Sequence, residues 1–208
     1  MSSSSVLVNR SNNGTELSRS TSTGTIRPRH ILIGATGSVA SIKIPLLHDE
    51  MGVEIRIVTT EHALHFFKPD DVKPAEVLTD ADEWKAWKKM SDPVIHIDLR
   101  NWADLMVIAP LDANTLAKLA QGLSDNLLTC ILRAWAPTRP VLICPAMNTY
   151  MWDHPFTAKH LKILQDELGY KVIPPISKIL ACGDVGVGAM AQVDEIARVV
   201  METLDSSV

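Results

Sequence analysis

The chain has 208 residues, 46% of them apolar, enough for one α/β domain with a sizeable core. Its 20 Lys+Arg against 24 Asp+Glu give a formal net charge of -4 without a basic tract, which argues against a nucleic-acid groove. No apolar run approaches the roughly 18 residues of a membrane span. Three cysteines cannot make a disulfide framework, so a reducing, cytoplasmic setting is expected.

Residues 1–29 differ from the rest. Ser2 to Ser5, Asn12-Asn13 and Ser18 to Thr25 leave almost no apolar side chain, so this stretch cannot offset its ordering entropy and is predicted to be a disordered tail. A transit peptide is the competing reading, since Arg10, Arg19, Arg27 and Arg29 face only one acid, Glu16. Residues 30–208 form the predicted domain.

From His30 onward, strand and helix periods alternate. His30 to Ala35 is a short apolar run that suits a buried parallel strand. Ser38 is placed to cap a helix through Ile42, Leu46 and Leu47 that Gly52 stops. Glu54 to Thr59 reads as the second strand. Leu105 to Ala109 and Val141 to Cys144 are the next strong strands, each closed by Pro. Between them Leu116, Leu119 and Leu123, then Leu127, Ile131 and Ala134, keep helical spacing. Gly122 and Ser124-Asp125-Asn126 divide that segment, with Ser124 or Asp125 as the second cap. A polar, helix-like stretch follows Met147 as far as Gly169. Lys171 to Pro174 is the last strand, and Val193, Ile196, Ala197 and Val200 mark a closing helix. This order predicts a Rossmann-like, parallel α/β sheet with helices on both faces, whose ligands sit beyond the carboxyl ends of the strands.

Five segments there are candidates for chemistry. Gly34-Ala35-Thr36-Gly37-Ser38 leaves a strand and enters a helix, apt for an anion at the helix N-terminus or for a plain tight turn. Thr59 and Thr60 place hydroxyls where a dinucleotide site usually offers an acid, while Glu61 keeps a nicotinamide site open. Asp112-Ala113-Asn114-Thr115 forms a small, polar turn that either meets a ligand or merely caps a helix. Pro145 to Trp152 gathers two methionines, an amide and an indole into a pocket wall or a core lid, and Asn148 can pair with a ligand amide or carboxylate. Ile179 to Met190 holds three glycines between 183 and 188 and reads as a flap. Its Cys182 is a candidate acid, nucleophile or redox group, or an inert small residue.

Two further readings come from the residues. If Asp92 to Leu99 is extended, Ile95, Ile97 and Leu99 share one face and His96 shares the other with Asp98. A histidine beside a carboxylate suits a base, though a lone histidine is more often structural. Cys130 and Cys144 read as core. His62 and His65, like His154 and His160, lack a third ligand at metal spacing, so no metal site is expected.

Ala109-Pro110-Leu111-Asp112-Ala113-Asn114-Thr115, Pro145-Ala146-Met147-Asn148-x-x-Met151-Trp152 and Leu180-Ala181-Cys182-Gly183-Asp184 together resemble the homo-oligomeric flavin-containing cysteine decarboxylases, over about residues 30 to 200. The resemblance implies a flavodoxin-related subunit in a homotrimer, with FMN between neighbouring subunits. It places flavin contacts on Gly37, Ser38, Val39, Thr59, Thr60, Glu61, Asp112, Ala113, Asn114, Thr115 and Ala146. It makes His96 and Cys182 catalytic, and Asn148, Ala181 and Met190 substrate-binding. The implied reaction converts 4′-phosphopantothenoyl-cysteine to 4′-phosphopantetheine in coenzyme A biosynthesis. The flavin oxidises the cysteine moiety to a thioaldehyde, CO2 leaves, and the enethiol is re-reduced. Ile179 stands where the family often has Lys or Arg, with Lys178 one residue earlier, and Gln192 stands where an acid is common. A non-catalytic, phosphatase-inhibitory relative is the alternative.

Overall fold

The computed structural model describes residues 29–206 apart from 180–182 and 184. The predicted tail up to residue 28, Ala181 and Cys182 thus lie outside the described residues. In chain order the elements are β1 (His30–Ala35), α1 (Ile44–Met51), β2 (Glu54–Thr59), β3 (Glu76–Leu78), α2 (Asp80–Ala86), α3 (Ile95–Trp102) and β4 (Leu105–Leu111). There follow α4 (Ala113–Gln121), α5 (Leu127–Arg133), β5 (Val141–Pro145), α6 (Thr149–Asp153), α7 (Pro155–Asp166), β6 (Lys171–Val172), β7 (Ile176–Ile179), β8 (Val185–Ala189) and α8 (Val193–Asp205).

Six strands make one sheet in the order β3-β2-β1-β4-β5-β6, and every pairing is parallel. Strands buried on both faces need apolar side chains at every position, and β4 is buried from end to end. Ile31, Ile33, Leu105 and Val107 point to a core under α1 and α8, while Leu32, Met106 and Ile108 point to a second core under α3, α4, α5 and α7. A Cβ on Gly34 would lie 2.8 Å from Leu128 Cδ1, so this glycine lets α5 pack against β1. That role is packing, not the approach of a ligand to the backbone.

Several sequence expectations are corrected. Ser38 caps a 3-10 turn (Val39–Lys43) that precedes α1, and Gly52 ends α1 with a φ of 60°. The residues α1 buries are Ile44, Leu47 and Met51, whereas Ile42 and Leu46 are exposed. β4 continues through Pro110 to Leu111, and β5 ends on Pro145 itself. The cap of α5 is Asn126, not Ser124 or Asp125, because its side chain accepts from Thr129 N at 2.9 Å.

His96 is not on an extended segment. It lies in the first turn of α3, which buries Leu99. Ile95, Leu99 and Trp102 follow a helical period, and an eight-residue window in which 95, 97 and 99 are apolar fits both periods. The Gly-rich segment, read as a loose flap, contains β8, which pairs antiparallel with β7 as a separate hairpin. β3 and α2 have no counterpart in the sequence reading.

Candidate active site

The sheet reverses its winding between β1 and β4, and the loops leaving these two strands are tied together. Thr36, fully buried, donates through its hydroxyl to the Pro110 carbonyl at 2.8 Å and accepts from Asp112 N–H at 2.8 Å. This bond pair explains a threonine where a dinucleotide fingerprint has glycine: the side chain fixes one loop on the other. A Cβ on Gly37 would come within 2.8 Å of His62 Cβ and 3.4 Å of Asp112 Oδ2, so the turn after β1 is pressed against both neighbours.

Beyond these strand ends lies a cleft of about 220 Å³, lined by Thr60, Glu61, His62, Asp80, Asp112, Asn114, Thr115, Lys118, Asp125 and Asn126. The predicted contacts Thr60, Glu61, Asp112, Asn114 and Thr115 thus converge on it. Asp112 also caps α4, accepting from Thr115 N at 2.6 Å through Oδ1. Capping and cleft lining are therefore one arrangement, not alternatives. Thr59 is buried and donates to the Thr60 carbonyl. The hydroxyl of Thr60 is shielded from solvent and has no hydrogen-bond partner among the described residues. A buried hydroxyl in that state is what a bound polar ligand would satisfy. Lys118 pairs with Asp125 across the cleft and holds that carboxyl below its usual range.

At the end of β5, Ala146 is buried and Asn148 caps α6, its Oδ1 accepting from Met151 N at 2.8 Å. With the oxygen committed, the Asn148 amide NH2 is left to donate, the correct polarity for a ligand carboxylate. Met147 and Trp152 pack against the core, so the Met/Trp cluster is partly a core lid, while Tyr150 and Met151 are exposed.

The hairpin of β7 and β8 sits on this same loop. Met147 N–H donates to the Gly188 carbonyl at 2.9 Å, and a Cβ on Gly186 would fall 2.5 Å from Thr149 Oγ1. Thr149 Oγ1 is itself buried without a partner among the described residues. Met190, just after β8, is 1% exposed, belongs to the same core cluster as Ala146 and is not among the residues that line the cleft. Lys178 on β7 lies near Lys43; burial, then the Lys178 charge, lowers the Lys43 pKa. Gln192 is the N-cap of α8 and makes no capping bond through its side chain.

His96 stands apart from the cleft lining. Its Nδ1 is 2.5 Å from Oε1 of Glu83 on α2, and both side chains are mostly buried. Of the other thiols, Cys144 is fully enclosed and burial raises it strongly; Cys130 is raised first by burial, then by the nearby Glu83, Asp80 and Asp125 charges. Cys144 is thus the core cysteine the sequence predicts, whereas Cys130 is only partly buried and does not belong to the core.

Comparison with known proteins gives this geometry a lineage. A family model described as Flavoprotein matches residues 19–205. A mouse phosphopantothenoylcysteine decarboxylase is 55% identical over 182 residues, 86% of this chain and 88% of its own length. The Arabidopsis thaliana phosphopantothenoylcysteine decarboxylase is 56% identical over 172 residues, covering 81% of each chain. The chain belongs to the phosphopantothenoylcysteine decarboxylase family. Among solved structures, a cysteine-to-serine mutant of PPC decarboxylase complexed with pantothenoylaminoethenethiol superposes with a TM-score of 0.84 at 50% identity, over 86% of this chain and all of that one. The FMN binding protein AtHal3 gives 0.81 at 51% identity, over 86% and 98% of the two chains.

Within this decarboxylase fold, two features escaped the sequence reading. One is the Thr36 staple, since nothing in the string Gly-Ala-Thr-Gly-Ser shows which loop its hydroxyl reaches. The other is Glu83, whose helix is announced by the Thr79-x-x-Asp82 capping box but whose partner lies 13 residues away on another helix.

Proposed function

We propose that the protein is an FMN-dependent decarboxylase that converts 4′-phosphopantothenoyl-cysteine to 4′-phosphopantetheine. The single observation that carries this reading is the polar cleft at the β1/β4 switch point, with its orphaned Thr60 hydroxyl, in a chain 55% identical to a decarboxylase of that substrate. The residues present fit the cofactor: Thr60, Asp112, Asn114 and Thr115 would hold its polar edge, with Gly37, Ser38 and Val39 beside them. FMN held there would supply a two-electron acceptor and donor, the chemistry that makes loss of CO2 from the cysteinyl carboxylate feasible.

The chain's own groups do the positioning and the proton transfers. Asn148, its oxygen held by Met151 N–H, directs its amide hydrogens at the substrate carboxylate. His96 accepts a substrate proton at Nε2 in the oxidative half. Cys182, which lies between β7 and β8 in the sequence, delivers a proton in the reductive half and must stay a neutral thiol to do so.

Assembly belongs to the same proposal. A cleft of about 220 Å³ falls short of the roughly 300 Å³ and more of sites for drug-sized ligands. Neither His96 nor Asn148 lines it. A homotrimer with FMN between neighbours supplies the missing walls. No helix among the described residues is long and apolar enough to cross a membrane. With three cysteines, of which Cys130 and Cys144 are free among the described residues, we assign the enzyme to the cytoplasm.

The deciding experiment mixes purified protein with 4′-phosphopantothenoyl-cysteine and follows 4′-phosphopantetheine by mass spectrometry beside the flavin spectrum. Product from a yellow protein is expected. A yellow protein without turnover would point to the phosphatase-inhibitory alternative, and a colourless, inactive protein after FMN addition would end the flavoenzyme reading.

A further inference from the structure

We propose that Glu83 is the positioning residue that fixes the tautomer and orientation of His96. The inference rests on the reading of His96 as the base and deepens it.

The two side chains meet across separate helices, α2 and α3, with Nδ1 and Oε1 2.5 Å apart. Glu83 is 16% exposed and His96 28%, so water competes little for this bond. A carboxylate only accepts hydrogen bonds. The neutral imidazole has one N–H, and the carboxylate keeps it on Nδ1, which leaves the lone pair on Nε2 as the only basic site of the ring. When Nε2 takes a substrate proton, the ring becomes a cation beside an anion. The proton on Nδ1 stays where it was, still donated to the Glu83 carboxylate.

Glu83 is itself held in place. The Thr79/Asp82 capping box fixes the first turn of α2. Asp80 accepts from Leu127 N–H at 2.7 Å and so ties α2 to the start of α5. The carboxylate thus reaches His96 from an element anchored at two points, and its reach across the gap between helices is set before substrate arrives. A mere helix-to-helix tie needs no particular tautomer, and that difference can be measured.

The test compares FMN-loaded wild type with Glu83→Gln, Glu83→Asp and His96→Asn, together with the 15N spectrum of histidine-labelled wild type. Glu83→Gln is expected to lower kcat by about 10- to 100-fold with KM within about twofold, as removal of a group that orients a histidine does. Glu83→Asp should recover part of that loss, and His96→Asn should lose turnover altogether. The wild-type spectrum should show Nδ1 protonated and Nε2 bare, a readout that holds even if a variant does not fold. Wild-type kcat in Glu83→Gln beside a dead His96→Asn would overturn the positioning role and leave the base intact. Nε2 protonation in the wild type would overturn it equally. Turnover in His96→Asn would remove the base, and the proposal with it.

Discussion

A Cβ at Gly188 would lie 2.2 Å from the Met147 carbonyl oxygen, and its φ of 147° is one that side-chain-bearing residues rarely adopt. Here the obstacle is backbone, which cannot rotate away. The same residue accepts the Met147 N–H, so the hairpin and the Asn148 loop share one seam. Asn148 follows Met147 directly on one side of that seam, and in the sequence Cys182 falls between the two strands of the hairpin on the other. Gly188→Ala should therefore lift the hairpin from Met147 without disturbing the six-stranded sheet, to which β8 does not belong. The expected result is a yellow, folded protein whose kcat falls by about 100-fold, the scale of a misplacement near 1 Å at reacting groups. Single-turnover kinetics with the flavin spectrum as a control would check it. Near-wild-type turnover would mean that the seat on Met147 is dispensable.

Among the elements, α8 shows a correctable weakness. It covers one face of the sheet with Ile196, Ala197, Val199, Val200 and Leu204, yet its N-cap, Gln192, satisfies none of the free N–H groups of the first turn through its side chain. Asp at that position would cap the turn and favour the helix dipole, so Gln192→Asp should stabilise the protein by about 0.5–1 kcal/mol, read by denaturant unfolding. No change in midpoint would show that the turn is already satisfied by water. The same residue shows how much the sequence discloses. Helix α8 was legible because its apolar spacing spans three turns, and β1 and β2 were legible to the residue because unbroken apolar or β-branched runs there end in turn residues. His96 was misplaced because no side chain caps α3 and its short apolar pattern suits both periods. β3, three residues long, carries too little pattern to be seen at all. In the site, the strand-end loops were readable from topology. Partners across the fold, Thr36 with Pro110 and His96 with Glu83, were not, because hydrogen bonds between distant segments leave no period in the chain.

For the whole molecule, the surface around His96 bears on assembly. Trp84 is 78% exposed, Trp87 50% and Met90 85%, and all three follow Glu83 within seven residues. Single exposed apolar residues are ordinary, but two indoles and a methionine within seven residues of the carboxylate that meets His96 expose more apolar surface than one short segment usually does. Each tryptophan brings about 150–250 Å² of burial when covered. We propose a second copy as the cover, because the cleft lined by Thr60 and Asp112 lacks His96 and the proposed base needs a cleft to act on. Trp84→Glu tests this with little risk to the protomer, since the residue is largely in solvent already. A charge buried at a protein interface without a partner costs several kcal/mol, enough to dissociate a subunit contact. Light scattering of the wild type should give close to three times 22.8 kDa, and the variant should fall to the single-chain mass with an unchanged far-ultraviolet spectrum and lost turnover. If Trp84→Glu keeps the assembled mass, the indoles face solvent, and the walls missing from the cleft come from another exposed apolar group, of which Val39, Ile42 and Leu46 at the start of α1 are the first to test.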